Sequence, residues 1–168
     1  ILRALVESWR KAWAYSFPFL YVQVAPWSYG SPYAGAELRD AQRRALPDIP
    51  SSGMAVISDA GDLENIHPPN KIDPGLRLAR LAMSRVYGSP DPLDSGPLFR
   101  EMQVSGSEVR LFFDRVDGGW VTESGWSDHF EVAGPDQVFH AAQARLDGET
   151  IVVISESVSE PVAVRFAY

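Results

Sequence analysis

The spacing of apolar residues in the first half of the chain predicts three helices. Apolar side chains recur every three or four residues in residues 1–15 and again in Gly75–Tyr87, a pattern typical of amphipathic helices. Gly88 follows the second of these, where a left-handed residue commonly ends a helix. A shorter and more polar helix is predicted over Glu37–Leu46, because Pro47 cannot continue it.

Two apolar runs between these helices predict strands. Phe17–Val24 and Met54–Ser58 are nearly continuous in apolar character, as in strands buried on both faces of a parallel sheet. The order helix, strand, helix, strand, helix predicts an α/β layer with a parallel sheet. Because parallel sheets place their chemistry at the carboxyl ends of the strands, the loops 25–36 and 59–74 are the candidate positions for a site.

The second half of the chain changes to a period of two. After a linker rich in Pro, Asp, Ser and Gly at residues 89–97, apolar and polar residues alternate over 109–114 and 162–167, and 151–154 reads as a more buried strand. Glycine turns separate these segments, which predicts an antiparallel module resembling a β-sandwich.

Charge supports a division into two parts. The chain carries a net charge of −7, but residues 1–88 carry +2 and residues 89–168 carry −9. We therefore predict two domains, 1–92 and 93–168. The chain opens with Ile-Leu-Arg-Ala-Leu, which reads like the middle of a helix, so we expect a cut there rather than a native start.

Composition excludes several classes of function. With no cysteine, the chain has no disulfide, no thiolate nucleophile and no cysteine-bound zinc. The lack of cysteine does not decide the cellular compartment, and our hypothesis is a secreted or periplasmic protein. The acidic balance argues against nucleic acid as a partner, and no apolar stretch reaches the roughly 20 residues of a membrane span. His129 and His140 have no partners at metal-ligand spacing, so we expect no metal.

The loop 59–74 carries the strongest chemical signal. It concentrates acids before His67, and a histidine beside a carboxylate works as a general base because the carboxylate orients and stabilises the imidazolium. Asp62 is close enough along the chain to fold back onto His67, and Pro68 and Pro69 restrict the loop. The alternative is a polar surface loop with an incidental histidine.

Several short motifs resemble sialate O-acetylesterase-like proteins of the SGNH hydrolase superfamily. They are Gly53-Met54-Ala55-Val56, Asp59, Gly61-Asp62, Ile66-His67-Pro68, Asn70-Lys71 and Gly75-x-Arg77-Leu78-Ala79, with Trp9-Arg10, Gln23-x-Ala25-Pro26 and Leu38-Arg39-x-Ala41-Gln42 upstream. Downstream, Val109-Arg110-Leu111 and Pro161-Val162-Ala163-Val164-Arg165 look like the same family's β-rich tail. The resemblance implies the C-terminal half of a flavodoxin-like SGNH domain followed by the β module.

The resemblance places the catalytic histidine on His67 and leaves the acid less defined. SGNH enzymes usually have aspartate three residues before the histidine, where this chain has Glu64. The motif matches Asp62 and Asp59 instead. We favour Asp62, with Asp59 and Glu64 as alternatives. Many members of the group work largely as a Ser–His pair, in which the acid matters less.

The family's nucleophilic serine motif is not found in the chain. Ser28 and Ser31 lie in a loop without that motif and are expected to be turn residues. We therefore expect the serine on the N-terminal half of the same enzyme, carried by another polypeptide or by a cleaved segment.

Three residues are candidates for substrate binding: Gln23, Arg39 and Gln42. Gln23 is a polar residue in an apolar strand and must be hydrogen-bonded if it is buried, whereas Arg39 and Gln42 share a helix that follows the loop 25–36. The resemblance implies hydrolysis of acetyl esters on sugars, sialic acids or acetylated plant or bacterial glycans, without a cofactor. The alternative is a noncatalytic carbohydrate-binding or structural protein on a degenerate SGNH fold.

Overall fold

The computed structural model describes residues 1–89 and 94–168, which form two compact units, Ile1–Ser95 and Gly96–Tyr168. The predicted boundary between residues 92 and 93 lies outside the described residues. No helix in the described ranges has both the length and the apolar character that crossing a membrane requires.

The first unit alternates helices with two parallel strands, as the apolar pattern predicts. Its elements are α1 (Leu2–Trp13), β1 (Phe19–Val22), α2 (Ala34–Ala45), β2 (Ser52–Ala55) and α3 (Ile72–Arg85). β1 and β2 pair in parallel, with Phe19 opposite Ser52 and Val22 opposite Ala55. The expected α/β layering with parallel strands is therefore confirmed for these elements.

β2 begins two residues before the predicted strand and ends sooner. Ser52 and Gly53 are buried, although they are not apolar, and Ser58 already belongs to the short 3₁₀ turn Ser58–Ala60. A Cβ on Gly53 would lie 2.9 Å from a methyl group of Leu20 in β1 and 3.3 Å from a methyl group of Leu81 in α3, so a larger residue would displace these side chains. A pattern of apolar residues does not predict that small residues such as Ser52 and Gly53 are buried in a strand.

The helices also differ from the prediction at their ends. α2 and α3 each begin three residues earlier than expected, and Pro74 lies in the first turn of α3, where its missing N–H costs nothing. Gly88 has a φ of 71°, which confirms the left-handed residue expected after this helix.

The second unit is entirely antiparallel. Its strands are β3 (Leu98–Ser105), β4 (Glu108–Asp114), β5 (Phe130–Ala133), β6 (Phe139–Asp147), β7 (Thr150–Ile154) and β8 (Ala163–Phe166), with a 3₁₀ turn at Trp126–His129. They form one sheet in the order β3-β4-β7-β6-β5-β8.

The two layers expected of a sandwich are parts of this one curled sheet. The first half of β6, Phe139–Ala142, pairs with β5, and its second half, Gln143–Asp147, pairs with β7. The core therefore draws on both halves of the sheet: Val109, Leu111, Phe130, Val132, Ile151 and Val153.

Candidate active site

Two loops meet at the carboxyl ends of β1 and β2. The segments that follow the two strands enclose a small buried cluster of Ala25, Ile57 and Ala60. Gly61 presses against Pro26 so closely that a Cβ at residue 61 would lie 2.9 Å from the Pro26 Cγ and 3.0 Å from its nitrogen. The prediction that both loops share one edge of the sheet is thus consistent with the structure.

His67 lies on the second of these loops, and its side chain is exposed. Its backbone N–H donates to the Asn65 Oδ1 at 2.9 Å, and Pro68 after it is buried. Among the described residues, no carboxylate forms a hydrogen bond or ion pair with the imidazole. The backbone at His67 is therefore held, while its ring faces outward.

Asp62 shapes the loop through its own carboxylate. Its Oδ1 accepts the backbone N–H groups of Glu64 at 2.9 Å and Asn65 at 3.2 Å, a turn in which a side chain replaces a backbone acceptor. The Asn65 side chain accepts the His67 N–H in the same way, so two successive turns of this kind precede the histidine. The assignment of Asp62 as the catalytic acid stays a prediction.

Asp59 and Glu64 have different surroundings. Arg77 of α3 donates to both oxygens of Asp59, at 2.6 and 2.5 Å, and the same guanidinium donates to the Val56 carbonyl at 2.7 Å. This hydrogen bonding by Arg77 lowers the pKa of Asp59. Glu64 is exposed. Asp59 is thus engaged in holding the start of the loop to α3.

Gln23 and Gln42 tie α2 to β1. Gln23 is buried and donates from Nε2 to the Arg39 carbonyl at 2.9 Å, while the Gln42 Oε1 accepts the Val24 N–H at 2.8 Å. The expectation that a buried Gln23 is hydrogen-bonded is confirmed. The hydrogen bonds of both amides position the helix that follows the first loop.

Arg39 differs from these two residues. Arg39 is half-buried as a residue, and among the described residues its guanidinium has neither a hydrogen bond nor an ion pair. It lies beside Tyr29, whose hydroxyl donates to the Ala25 carbonyl at 2.9 Å and whose ring meets Trp27 edge-to-face at 5.0 Å. The Tyr29 ring, in the loop after β1, therefore contacts Trp27 and lies near the Arg39 guanidinium of α2.

Sequence reasoning missed the positioning roles of Asn65 and Arg77. Arg77 stood in a recognised motif without an assigned role, and its pairing with Asp59, eighteen positions earlier in the chain, leaves no local pattern. Asn65 could have been recognised from the sequence, because asparagine side chains commonly accept the backbone N–H two residues later in a turn, here that of His67.

The remaining candidates lie in turns of the first unit or belong to the second unit. The Ser31 carbonyl accepts the Ala34 N–H at 3.4 Å in the turn that starts α2, and Ser28 is exposed. In the second unit, His129 contacts Phe166 ring to ring, and His140 lines a shallow cavity of about 340 Å³. Across residues 1–89 and 94–168, no three His, Asp or Glu side chains are grouped to hold a metal ion.

Comparison with known proteins relates the chain to one class of enzyme. No protein-family model matches it, and no curated protein does. Among solved structures, it is similar to a carbohydrate acetylesterase from Xanthomonas citri, with 37% sequence identity and a TM-score of 0.85 over 98% of this chain. The chain spans 39% of the length of that protein. The chain is therefore similar along almost its whole length to a part of a carbohydrate acetylesterase.

Proposed function

We propose that this chain supplies the catalytic histidine of a carbohydrate O-acetylesterase, a carboxylic ester hydrolase. The observation that carries the proposal is the similarity to a carbohydrate acetylesterase along almost the whole chain, at 37% identity. The position of His67 at the carboxyl edge of a parallel strand pair supports it, because that edge is where open α/β sheets carry out their chemistry.

The reaction is acyl transfer through a serine. His67 takes the proton from the serine hydroxyl as its oxygen bonds to the acetyl carbon, and returns that proton to the sugar oxygen as the ester bond breaks. Water then attacks the acetyl-enzyme, His67 takes a proton from it, and acetate leaves as the serine regains its hydrogen. Proton transfer accounts for the whole role of His67.

Asp62 is the acid we assign to His67. One oxygen of its carboxylate shapes the turn before the histidine, and no hydrogen bond of the described residues occupies the other, Oδ2. The assignment requires the exposed imidazole to turn toward this oxygen and form the pair that orients a triad base. Asp59 is less suited because Arg77 already engages both of its oxygens.

The serine is proposed to lie on the remaining part of the enzyme, as a separate polypeptide or a cleaved segment. β1 and β2 are four residues each and form a two-stranded sheet among the described residues, so both outer edges of that sheet lack a partner strand there. Leu5, Trp9 and Trp13, the apolar stripe of α1, are 40%, 42% and 65% exposed, which leaves an apolar face for further chain to cover.

The substrate is proposed to be an O-acetylated sugar of the sialate 9-O-acetylesterase type. Replacement of His67 tests the proposal in the assembled enzyme, in which the serine-bearing part is present. His67→Ala should lower the rate of acetate release from a generic acetyl ester by roughly a thousandfold or more, as loss of a triad base does. The thermal unfolding midpoint should hardly change, because the side chain is exposed and fills no core.

His129→Ala and His140→Ala are the matched controls, since both histidines lie in the other unit. They should leave acetate release intact. Wild-type hydrolysis by the His67→Ala variant would contradict the assignment of the base. Sugar binding without any ester hydrolysis by the wild-type assembly would favour the alternative, a carbohydrate-binding protein on a degenerate fold.

A further inference from the structure

Two arginines of α3 bind the two ends of strand β2. Arg85 donates to the carbonyl of Ser52, where β2 begins, at 2.8 Å, and Arg77 donates to the carbonyl of Val56, just beyond its end, at 2.7 Å. Eight helical positions between the arginines span about 12 Å, and four extended positions between their acceptors span about 13 Å, so both contacts form at once. Leu81, between the two arginines, is 1% exposed, and the core therefore holds the helix as well.

Arg77 also binds the start of the histidine loop. Its guanidinium donates to both oxygens of Asp59, at 2.6 and 2.5 Å, in addition to the Val56 carbonyl. A lysine ammonium is a point donor and does not reproduce this planar set of hydrogen bonds. The hydrogen bonding by Arg77 lowers the pKa of Asp59, so the pair stays charged near neutral pH.

The end of the histidine loop is fixed to the same helix. The Asn70 Oδ1 accepts the backbone N–H of Asp73, in the first turn of α3, at 3.2 Å, and the Asn70 Nδ2 donates to the Asp73 carboxylate at 2.7 Å. Between the two attachments, the side-chain turns of Asp62 and Asn65 lead to His67. The loop is therefore attached at both ends to the first two turns of α3.

The imidazole of His67 depends on this attachment for its position. The side chain is exposed, and no hydrogen bond or ion pair of the described residues holds its ring, so the backbone of the loop determines where the ring lies. A general base must be within hydrogen-bond reach of the proton that it takes, and a misplacement of about 1 Å can cost roughly 100-fold in rate.

We propose that Arg77 is a positioning residue for His67. By binding the strand end and the start of the loop together, it sets the place from which the imidazole reaches the serine hydroxyl. Arg77 itself contacts neither substrate nor serine in this role. The inference rests on the proposed function, in which His67 is the base.

Arg77→Gln in the assembled enzyme tests the proposal. The kcat for acetate release, normalised to folded protein, should fall by roughly 10- to 100-fold, while KM changes less than about threefold. Arg77→Lys should fall between Arg77→Gln and wild type, because it keeps the charge and loses the planar fork. Arg80→Gln is the matched control, since Arg80 is exposed on the same helix. It should leave both kinetic constants unchanged.

A double substitution tests whether Arg77 acts through His67. In a His67→Ala enzyme, Arg77→Gln should cause no further loss of the residual rate, because residues that act as a unit are not additive. An arginine with a merely structural role would lower the rate by the same factor in both backgrounds. That equal loss, or an unchanged kcat in both Arg77 variants, would overturn the proposal. If Arg77→Gln fails to fold, Arg77→Lys in the two backgrounds decides.

Backbone hydrogen exchange separates this inference from the proposed function, because it requires no activity. The amides of Glu64, Asn65 and His67 are hydrogen-bonded within the loop, and they should exchange faster in Arg77→Gln than in wild type or Arg80→Gln. Unchanged exchange, with activity lost in His67→Ala, would overturn the role of Arg77 and leave the esterase assignment standing. Faster exchange, with wild-type hydrolysis by His67→Ala, would overturn the base and with it the positioning role, although Arg77 would still hold the loop.

Discussion

At the scale of residues, one substitution separates the role of the Asp62 carboxylate in the turn from the catalytic role proposed for its charge. In Asp62→Asn the amide oxygen still accepts the N–H groups of Glu64 and Asn65, so the turn is retained while the charge is lost. The hydrolysis rate in the assembled enzyme should fall by up to about ten-thousandfold, the cost of the wrong histidine tautomer in a triad. Acetate release at saturating substrate is the measurement.

Two other acids serve as controls for Asp62. Asp59→Asn and Glu64→Gln should matter less, because Asp59 is paired with Arg77 and Glu64 is exposed with a longer, freer side chain. A decrease of only a few-fold in Asp62→Asn would indicate a Ser–His pair with a dispensable acid. If Glu64→Gln is the most damaging of the three, the usual three-residue spacing holds and Asp62 is the wrong choice.

At the scale of elements, the contact of Gly61 with Pro26 sets the distance between the two loops. Gly61→Ala places a methyl group against the proline ring and its backbone nitrogen, so the loops must separate. We expect a loss of about 1–3 kcal/mol in the free energy of unfolding, typical of an overpacked contact. Denaturant unfolding of the assembled protein measures this loss.

Gly75→Ala is the matched control for that element. A Cβ at Gly75 meets nothing within 4 Å, and the residue lies in α3. The substitution should stabilise the protein by about 0.5–1 kcal/mol, because alanine loses less backbone entropy than glycine in a helix. Equal effects of the two substitutions would contradict the role given to Gly61.

At the scale of the whole molecule, the first unit has more apolar surface than its own elements cover. Trp13 and Tyr87 are 65% and 74% exposed, and they line one groove with Tyr15 and Val86. We expect this chain to require the remaining part of the enzyme for a stable fold, because uncovered apolar faces and free strand edges favour association. A soluble, cooperatively unfolding monomer of this chain alone, seen by sedimentation and denaturant titration, would contradict this prediction. The masses of all polypeptides in the purified protein test whether a second chain is present.

Local pattern predicts more of the first unit than of the second. Apolar runs and helical periods located all five elements of the first unit to within a few residues. The strand β6 (Phe139–Asp147) is rich in alanine and has no β-branched residue, so nothing local marks it as a strand. One half of β6 pairs with β5 and the other half with β7. The alternation of residues within β6 does not predict which strands it pairs with.

The sequence by itself determined the alternation of helices and strands, the edge that carries the two loops, and the place of His67 on one of them. These features follow from burial and turn chemistry within a few residues. Only the tertiary structure decided that Gln23 and Gln42 hold α2 to β1, that Arg77 engages Asp59, and that Arg39 is half-buried with no hydrogen bond or ion pair to its guanidinium in the described chain. Each of these depends on which groups meet across the fold, because a hydrogen bond between residues far apart in sequence leaves no periodic signal.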